Sequence, residues 1–524
     1  MSQSRQIALY DTTLRDGTQR EGISLSAGDK LIIARALDRF GVSYIEGGWP
    51  GSNPKDAAFF REATHEPFQH AKLAAFGSTR RAHGRCEGDA NLRALLEAET
   101  QVVTLVGKTS ALHVARVLET TLEENLRMIA ETVSYCKAAG REVIYDAEHA
   151  FDGMAQDASY ALMTLRAAEE AGADCVVLCD TNGGSLPDAV RATVNTVRQH
   201  IRSPLGIHSH DDSGLAVANA LAAVAAGCEH VQGTVNGYGE RCGNMDLLPL
   251  IANLQLKLGY DCVPPEQLAR MRELSRHVAA VAGVAEDHHA PYVGRSAFAH
   301  KGGLHGAAEA KVEGSYQHID PRVVGNVGRV VVSELAGRAN VRAEAAGLGL
   351  SLNGSESVVL ERIKALEARG YSFEGASGSF EMLVRRAAPD YVAPFELLDF
   401  TVIVERRGDR PIVAQATVKL SVGGVVMHTA GEGAGPVNAL DQAIRKALVP
   451  HFPVLDEVQL VDYRVRIVDE HLGTAARPRV IIESARGADR WSTVGCSEDI
   501  IAASWLALWD SLELPLHRVK HSGI

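Results

Sequence analysis

Short apolar runs alternate with longer segments of helical spacing throughout the first half of the chain. Eight runs stand out, namely QIALYD, VSYIEGG, KLAAFGS, QVVTLVG, EVIYDAE, DCVVLCD, PLGIHSH and HVQGTVN. Between them lie amphipathic segments such as AGDKLIIARALDRFG, whose apolar residues recur every three or four positions. Strands that alternate with helices predict a parallel sheet, and eight such units predict a closed (β/α)8 TIM barrel. An open, doubly wound sheet is the alternative for this pattern.

The rest of the chain has a different pattern. Helical spacing dominates residues 262–390, whereas the final portion contains an internal repeat. The stretch LLDFTV at 397–402 recurs as LVDYRV at 460–465, and GEGAGPVNALDQAIRKAL is echoed by GCSEDIIAASWLALWDSL. We therefore expect an α/β chain with a catalytic barrel at 1–265, helical linker subdomains at 266–390 and a C-terminal α+β domain at 391–524 made of two strand-strand-helix repeats. In that domain we interpret Gly431, Gly433 and Gly435 as turn residues that allow close backbone approach.

Composition excludes several classes of protein. The 524 residues carry 53 Lys and Arg against 65 Asp and Glu, a net charge of −12, so a nucleic-acid partner is not expected. No apolar run is long enough to span a membrane and the N-terminus has no secretory pattern, which predicts a cytoplasmic protein without a membrane partner. The eight cysteines are scattered without CxxC pairs, which indicates reduced thiols.

Polar side chains follow the apolar runs, where a TIM barrel would carry its active site. His208 and His210 stand two positions apart in a strand, so both imidazoles can face one divalent ion. Asp16 offers a carboxylate and Asn244 a carbonyl oxygen, and this set of donors suits Zn, Mn, Fe or Co. The pattern predicts a metal site, although HSH could also form a solvated turn. Asp11 ranks below Asp16 as a ligand, because it could instead cap the following turn.

Three motifs together carry a resemblance to a known family. DTTLRDGTQ, HSHDDSG and NGYGERCGN resemble those of the acyl-CoA-condensing and lyase enzymes grouped as DRE-TIM metallolyases, which include isopropylmalate, homocitrate and citramalate synthases. YIEGGWPGSNPKD, AFGSTRRA, SAFAHKGGLH and VSELAGRANV are most similar to the citramalate synthases, and the resemblance covers nearly the whole chain. The resemblance implies a divalent metal, Zn, Mn, Mg or Co.

The resemblance also assigns roles to single residues. It implies that Asp16, His208 and His210 bind the metal and that Asn244 lies beside it. It implies that Arg15 both binds substrate and stabilises the developing oxyanion.

Three further residues of this chain match family positions near the substrates. Glu148 matches an acidic residue near the acetyl group, and Thr181 matches a threonine that contacts the keto acid. His305 is similar to a histidine implicated in proton transfer. His300 could exchange roles with it, and Tyr316 is a nearby tyrosine that could assist.

By resemblance, the activity is that of an acyltransferase that condenses acetyl-CoA with a 2-oxo acid, pyruvate being favoured, and then hydrolyses the thioester. For pyruvate the product is citramalate, on a route to isoleucine. The resemblance also implies a homodimer whose C-terminal domain is regulatory, with isoleucine as the expected effector; a plain dimerisation module is the alternative reading of that domain.

Other functions stay open at this point. Isopropylmalate or homocitrate synthesis is the runner-up, and a lyase of the same family is disfavoured by the C-terminal repeat. A non-catalytic amino-acid sensor that kept the barrel as a scaffold would be expected to lose part of the metal site. Arg15, Asp16, His208 and His210 are all present.

Overall fold

The computed structural model describes residues 5–302, 305, 308–309, 311–331, 337–406, 408, 411–487 and 489–521. Parts of two quoted stretches, GGLHG and VSELAG, therefore lie outside the described residues. The chain forms two compact units, each described here by itself. The first runs to Phe298 and includes Ile319–Val327, and the second comprises Ala299–His318 and the residues from Gly328 onward.

The first unit is a closed barrel of eight parallel strands in sequential order. Pairing of β1 with β8, with Leu9 opposite Val231, closes the sheet. This confirms the barrel and excludes the open sheet, and every predicted apolar run contains one strand. The strands are β1 Ala8–Asp11, β2 Tyr44–Gly48, β3 Lys72–Ser78, β4 Val102–Lys108, β5 Glu142–Glu148, β6 Cys175–Asp180, β7 Leu205–Ser209 and β8 His230–Gly233.

Helices surround the barrel and bury one apolar face against the strands. The first begins at a capping box, in which Ser26 and Asp29 satisfy each other's backbone N–H groups, and ends at Gly41 in the left-handed conformation. The helices are α1 Ala27–Phe40, α2 Pro54–Ala63, α3 Ala90–Glu97, α4 Ala111–Arg116, α5 Leu122–Ala138, α6 Ala150–Glu170, α7 Pro187–Arg198, α8 Ala216–Ala225, α9 Leu247–Ala252 and α10 Met271–Ala282.

The second unit begins with a short parallel strand pair and three helices, followed by the internal repeat. The first elements are β9 Ala299–His300, β10 Arg329–Val330, α11 Arg338–Gly347, α12 Glu356–Glu367 and α13 Ser377–Arg385. The first copy of the repeat contains β11 Glu396–Glu405, β12 Val413–Val422, β13 Val425–Gly433 and α14 Pro436–Leu448. The second contains β14 Gln459–Ile467, β15 Pro478–Arg486, β16 Asp489–Cys496 and α15 Ile500–His521.

Each copy of the repeat has three antiparallel strands and one helix, one strand more than the strand-strand-helix unit expected from sequence. Two glycines of the first copy, Gly431 and Gly433, explain part of the difference. Gly431 and Gly433 lie within β13 and not in a turn, and a Cβ on Gly431 would meet the α14 backbone at 2.6 Å. Glycine therefore lets the helix approach the sheet closely. Gly435 directly precedes α14.

Two further sequence expectations can be compared with the structure. All eight cysteines are free thiols, and all but Cys242 are buried. Among the described helices, none is both long enough and apolar enough to cross a membrane.

Candidate active site

The carboxyl ends of the barrel strands surround a cavity of about 670 Å³. Side chains from the two halves of the barrel reach it because parallel strands of a barrel all end at the same rim. Six of the eight site residues predicted from sequence line this cavity, namely Arg15, Asp16, Glu148, Thr181, His208 and His210.

Three of these residues form a cluster with the geometry of a metal site. The Oδ2 atom of Asp16 lies 3.2 Å from Nε2 of His208 and 3.9 Å from Nε2 of His210. The two Nε2 atoms are 3.1 Å apart. All three side chains are buried, and one ligand atom from each lies within 4.8 Å of the others. Among the described residues this is the one such group of three His, Cys, Asp or Glu side chains.

Asn244 completes the cluster. Its Nδ2 donates a hydrogen bond of 2.8 Å to Asp16, and its Oδ1 is buried without a hydrogen-bond partner among the described residues. The NH₂ group, and not Oδ1, faces Asp16 and His208, so Oδ1 would face a cation held by Asp16 only after the amide turned over. One carboxylate and two imidazoles therefore fit a divalent transition-metal ion, and the amide oxygen would join them after that rotation.

The electrostatics of the cluster also favour a cation. Burial alone would favour neutral Asp16, but Arg15 and the two histidines outweigh it and hold the pKa of Asp16 well below its ordinary value. Burial, reinforced by His208, lowers the pKa of His210 to about 4. Burial opposes the charged form of His208 as well, but Asp16 outweighs this effect and raises its pKa. The site thus holds an ionised carboxylate beside a neutral His210.

His210 has an additional partner at its other ring nitrogen. Arg241 Nη2 lies 2.9 Å from His210 Nδ1 and also pairs with Asp212 at 2.9 Å. A guanidinium can only donate, so Nδ1 of neutral His210 accepts here and its proton is on Nε2. For Nε2 to hold a metal ion, that proton would have to leave Nε2; a neutral ring would then carry it on Nδ1, to which Arg241 could no longer donate.

Arg15 lies beside the cluster with its direction fixed. Its Nε donates to Glu46 at 2.6 Å, its Nη1 lies 3.3 Å from Asp16, and its guanidinium stacks 3.9 Å from the centroid of Phe76. Tyr10 in turn donates to the other oxygen of Glu46 at 2.7 Å. Arg15 is therefore held as a rigid donor facing the cavity.

Glu148 and Thr181 line another part of the cavity wall. Glu148 is paired with Lys108, which sits at the end of the neighbouring strand β4. The hydroxyl oxygen of Thr181 accepts a 2.9 Å bond from the backbone N–H of His149. This leaves the hydroxyl proton of Thr181 free to be donated to a ligand.

His305 belongs to the second unit. Its ring stacks on Tyr316 with centroids 4.4 Å apart, whereas His300 is 6.3 Å from the same tyrosine. Both His305 and Tyr316 are exposed. Asp11, in contrast, is buried in the barrel, where it accepts two hydrogen bonds from Thr13 at 2.9 Å, as a turn-capping residue does.

Sequence reasoning missed several residues around the site. Lys108 lies in VGKTS, which resembles a phosphate-binding loop but lacks the required first glycine. Its position at the end of a predicted strand is the signal that could have identified it. Gln232 is a lone polar residue inside the eighth apolar run, and its Oε1 lies 2.7 Å from Nδ1 of His208.

Known families cover almost the whole chain. Residues 6–278 match the HMGL-like family, residues 292–371 the homocitrate synthase post-HMGL domain-like family, and residues 374–515 the LeuA allosteric (dimerisation) domain.

Individual similar proteins show which group of enzymes with these domains the chain belongs to. The (R)-citramalate synthase of Geobacter sulfurreducens is 50% identical over 516 residues, covering 98% of each chain. The (R)-citramalate synthase of Synechocystis sp. is also 50% identical, covering 97% of this chain and 96% of its own. The chain belongs to the citramalate synthase family. A probable 2-isopropylmalate synthase of Methanopyrus kandleri is 32% identical over 95% of this chain and 96% of its own. The family is thus related to a second synthase class across its full length.

Proposed function

We propose that this chain condenses acetyl-CoA with pyruvate and water to give citramalate and CoA. The observation that carries the proposal is the juxtaposition of Asp16, His208, His210 and Arg15 in one cavity, in a chain half identical to (R)-citramalate synthases over nearly its full length. The residues present are those that the chemistry needs, which disfavours a sensor that has lost its catalytic groups.

The metal-binding residues in this proposal are Asp16, His208, His210 and Asn244. A divalent ion held there would supply Lewis-acid polarisation of the acceptor's carbonyl group. Zn, Mn, Mg and Co are the candidate ions, and reconstitution of the metal-free chain with each of them compares their activities.

Arg15 provides the fixed positive charge of the site. When the carbonyl carbon of pyruvate is attacked, its oxygen becomes negative, and the guanidinium donates hydrogen bonds to that charge. Because Glu46 and the face of Phe76 hold the guanidinium in place, little reorganisation is needed during the reaction. Thr181 donates its free hydroxyl proton to the carboxylate of the keto acid.

The nucleophile requires removal of a proton from the acetyl methyl group, so that a new carbon–carbon bond can form at the keto carbon. We assign this base role to His305, with Tyr316 stacked on its ring. Glu148, paired with Lys108, lies near the acetyl group in this proposal. Water then cleaves the thioester and releases CoA, which makes the overall reaction irreversible.

The acceptor is tested by comparing 2-oxo acids. Release of the CoA thiol from acetyl-CoA should be strong with pyruvate and weak with 2-oxoisovalerate and 2-oxoglutarate, because those acids carry bulkier groups beyond the keto carbon. The product should be identified as citramalate by mass spectrometry. Preference for 2-oxoisovalerate would make the chain an isopropylmalate synthase, preference for 2-oxoglutarate a homocitrate synthase, and no release with any acid would favour the sensor.

The role of Arg15 is tested by Arg15→Lys. Replacing the planar fork by a point charge should lower kcat by about 10²–10³-fold, the usual cost of losing an oxyanion donor. Arg20→Lys is the matched control, because Arg20 lies 5.1 Å from the ring of Tyr238 but does not line the cavity. Equal kcat in the two variants would remove Arg15 from the mechanism.

We also propose the division of labour along the chain expected from sequence: catalysis at 1–265, linkage at 266–390, and dimerisation with regulation at 391–524. The match of residues 374–515 to an allosteric dimerisation domain supports a homodimer. Isoleucine is the proposed effector. Light scattering should give twice the chain mass, and isoleucine should inhibit the full chain more strongly than leucine or valine do. A monomer, or equal inhibition by all three, would contradict this assignment.

A further inference from the structure

Gln232 occupies an unusual position for an amide. It lies within β8, in register with His208 on β7, and is fully buried in the barrel interior. Its Oε1 is 2.7 Å from Nδ1 of His208, and its Nε2 donates to Oδ1 of Asp146 at 2.9 Å. Both ends of the amide are therefore engaged, one by a candidate metal ligand and one by a carboxylate.

The placement of the amide sets the direction of these bonds. Its NH₂ group lies at Asp146 and donates to Oδ1. The oxygen is left facing His208, and an amide oxygen can only accept. Nδ1 of His208 consequently carries a proton, which leaves Nε2 as the nitrogen that faces Asp16 and Asn244.

Further hydrogen bonds extend from this pair in both directions along the cluster. Arg241 donates to Nδ1 of His210, and the proton on Nε2 of His210 points at Nε2 of His208, 3.1 Å away. From His208 the series of hydrogen bonds continues through Gln232 to Asp146. The two histidines are thus not equivalent, since Nδ1 of His208 faces the amide oxygen of Gln232, an acceptor, whereas Nδ1 of His210 faces Arg241, a donor.

We propose that Gln232, oriented by Asp146, is a positioning residue that sets the tautomer of His208 so that its Nε2 is ready to bind the metal ion. This inference rests on the proposed function, because it takes the cluster to be a metal site. Groups that donate or accept at the far nitrogen of a metal-binding histidine typically change metal affinity by about 10–100-fold when removed. The sequence gives no direct indication of this role, since Gln232 and His208 become neighbours only through strand register.

The first test is Gln232→Met, which keeps the approximate size of the side chain and removes both the acceptor and the donor. Binding of Co²⁺ to the full-length chain, measured by competition with a chromophoric chelator, should weaken by about 10–100-fold. Gln255→Met is the matched control, because Gln255 also makes two hydrogen bonds, but to the backbone of Val263, which is not part of the cluster. It should bind Co²⁺ as the wild type does.

A second variant tests the direction of the hydrogen bonds made by Gln232. When Gln232→Glu is combined with Asp146→Asn, the carboxylate introduced at position 232 still accepts from His208. Its second oxygen accepts from the amide introduced at position 146, so the link is rebuilt with donor and acceptor exchanged. This double variant should bind Co²⁺ within about threefold of the wild type, because it restores the acceptor at Nδ1.

The outcomes distinguish failure of the proposed metal site from failure of the positioning role of Gln232. If the wild-type chain does not bind Co²⁺ at all, the proposed metal site fails, whatever Gln232 does. If the wild type binds but Gln232→Met binds equally well, or the double variant is as weak as Gln232→Met, the positioning role is overturned. Nitrogen NMR of the metal-free, histidine-labelled chain gives an independent readout. His208 should carry a proton on Nδ1 in the wild type, and an Nδ1 without a proton would refute the proposal even if Gln232→Met failed to fold.

Discussion

Asp16 shows how one residue can be buried and charged at the same time. Its carboxylate is removed from water, which favours the neutral acid, yet Arg15 and the two histidines lie close enough to keep it ionised. The cost of burying the charge is met by this arrangement of cations and donors.

Asp16→Ala should therefore abolish both metal binding and activity. The variant loses the only carboxylate of the cluster and leaves Arg15 without one of its partners. Metal content per chain, measured by mass spectrometry after dialysis, should fall to background together with CoA release. Asp152→Ala removes a carboxylate outside the cavity lining and should retain both. Turnover of Asp16→Ala in metal-free buffer would refute the assignment.

Asp11 lies only five residues before Asp16, but its pKa is shifted in the opposite direction. Burial outweighs its bonds from Thr13 and raises the pKa of Asp11 to about 7. Between about pH 4 and pH 7 the folded chain holds a proton at Asp11 that the unfolded chain has lost. The contribution of Asp11 to stability is therefore fully present below about pH 4 and declines as the pH rises toward 7.

Asp11→Asn should remove this decline. Relative to the variant, the wild type should lose up to about 1.4 kcal/mol of unfolding free energy per pH unit between about pH 4 and 7, and nothing further above pH 7. Urea denaturation at a series of pH values measures the difference. Asp29→Asn provides a contrast, because hydrogen bonds from Ser26 lower the pKa of Asp29 and its contribution is lost as the pH falls. A pH-independent difference for Asp11→Asn would contradict the pKa.

At the scale of elements, the barrel could be predicted because its signals are local. Apolar runs give the strands, helical spacing gives the helices, and parallel strands carry their polar ends at one rim, so Asp16 and His210 could be placed in one site without coordinates. Gln232 could not be placed, because its contact with His208 depends on the register of β7 and β8. For Gly431 and Gly433 the predicted close backbone approach is confirmed, but their placement in a turn was wrong, because sequence does not show where β13 ends.

Gly495 is the counterpart of Gly431 in the second repeat. A Cβ at this position of β16 would come within 2.0 Å of the carbonyl oxygen of Ala503 on α15. Gly495→Ala should thus destabilise the second unit by about 1–3 kcal/mol or more, as overpacking does. Gly435→Ala is the control, because a Cβ there has nothing within 4 Å. Thermal unfolding followed by circular dichroism compares them, and equal melting temperatures would exclude close packing at Gly495.

At the scale of the whole molecule, a buried network of ion pairs connects the segment after α13 to α15 within the second unit. Arg386, directly after α13, pairs with Asp510 at 2.7 Å and with the fully buried Glu513 on α15. Tyr391 and His517 also contact Glu513. These partners are far apart in sequence, so the network could not be predicted from the repeat.

Glu513→Gln should destabilise the second unit by about 3–5 kcal/mol, since it leaves part of a buried charge network uncompensated. Scanning calorimetry should show the transition of that unit shifted to lower temperature, whereas Co²⁺ binding by the barrel cluster should be retained. Arg464→Gln removes the exposed pair with Asp462 in the same unit and should change little. A Glu513→Gln variant as stable as this control would show that the network contributes no stability.

The closure of the barrel has a consequence for how the protein is made. Asp16 and Asn244 meet across 228 positions of sequence, on the two sides of the seam between β1 and β8. On the ribosome, the nascent chain therefore cannot assemble the complete cluster until the last strand has emerged and closed the ring. If the cluster binds a metal ion as proposed, binding by all four groups would follow closure of the barrel, and the bound ion would stabilise the seam against reopening.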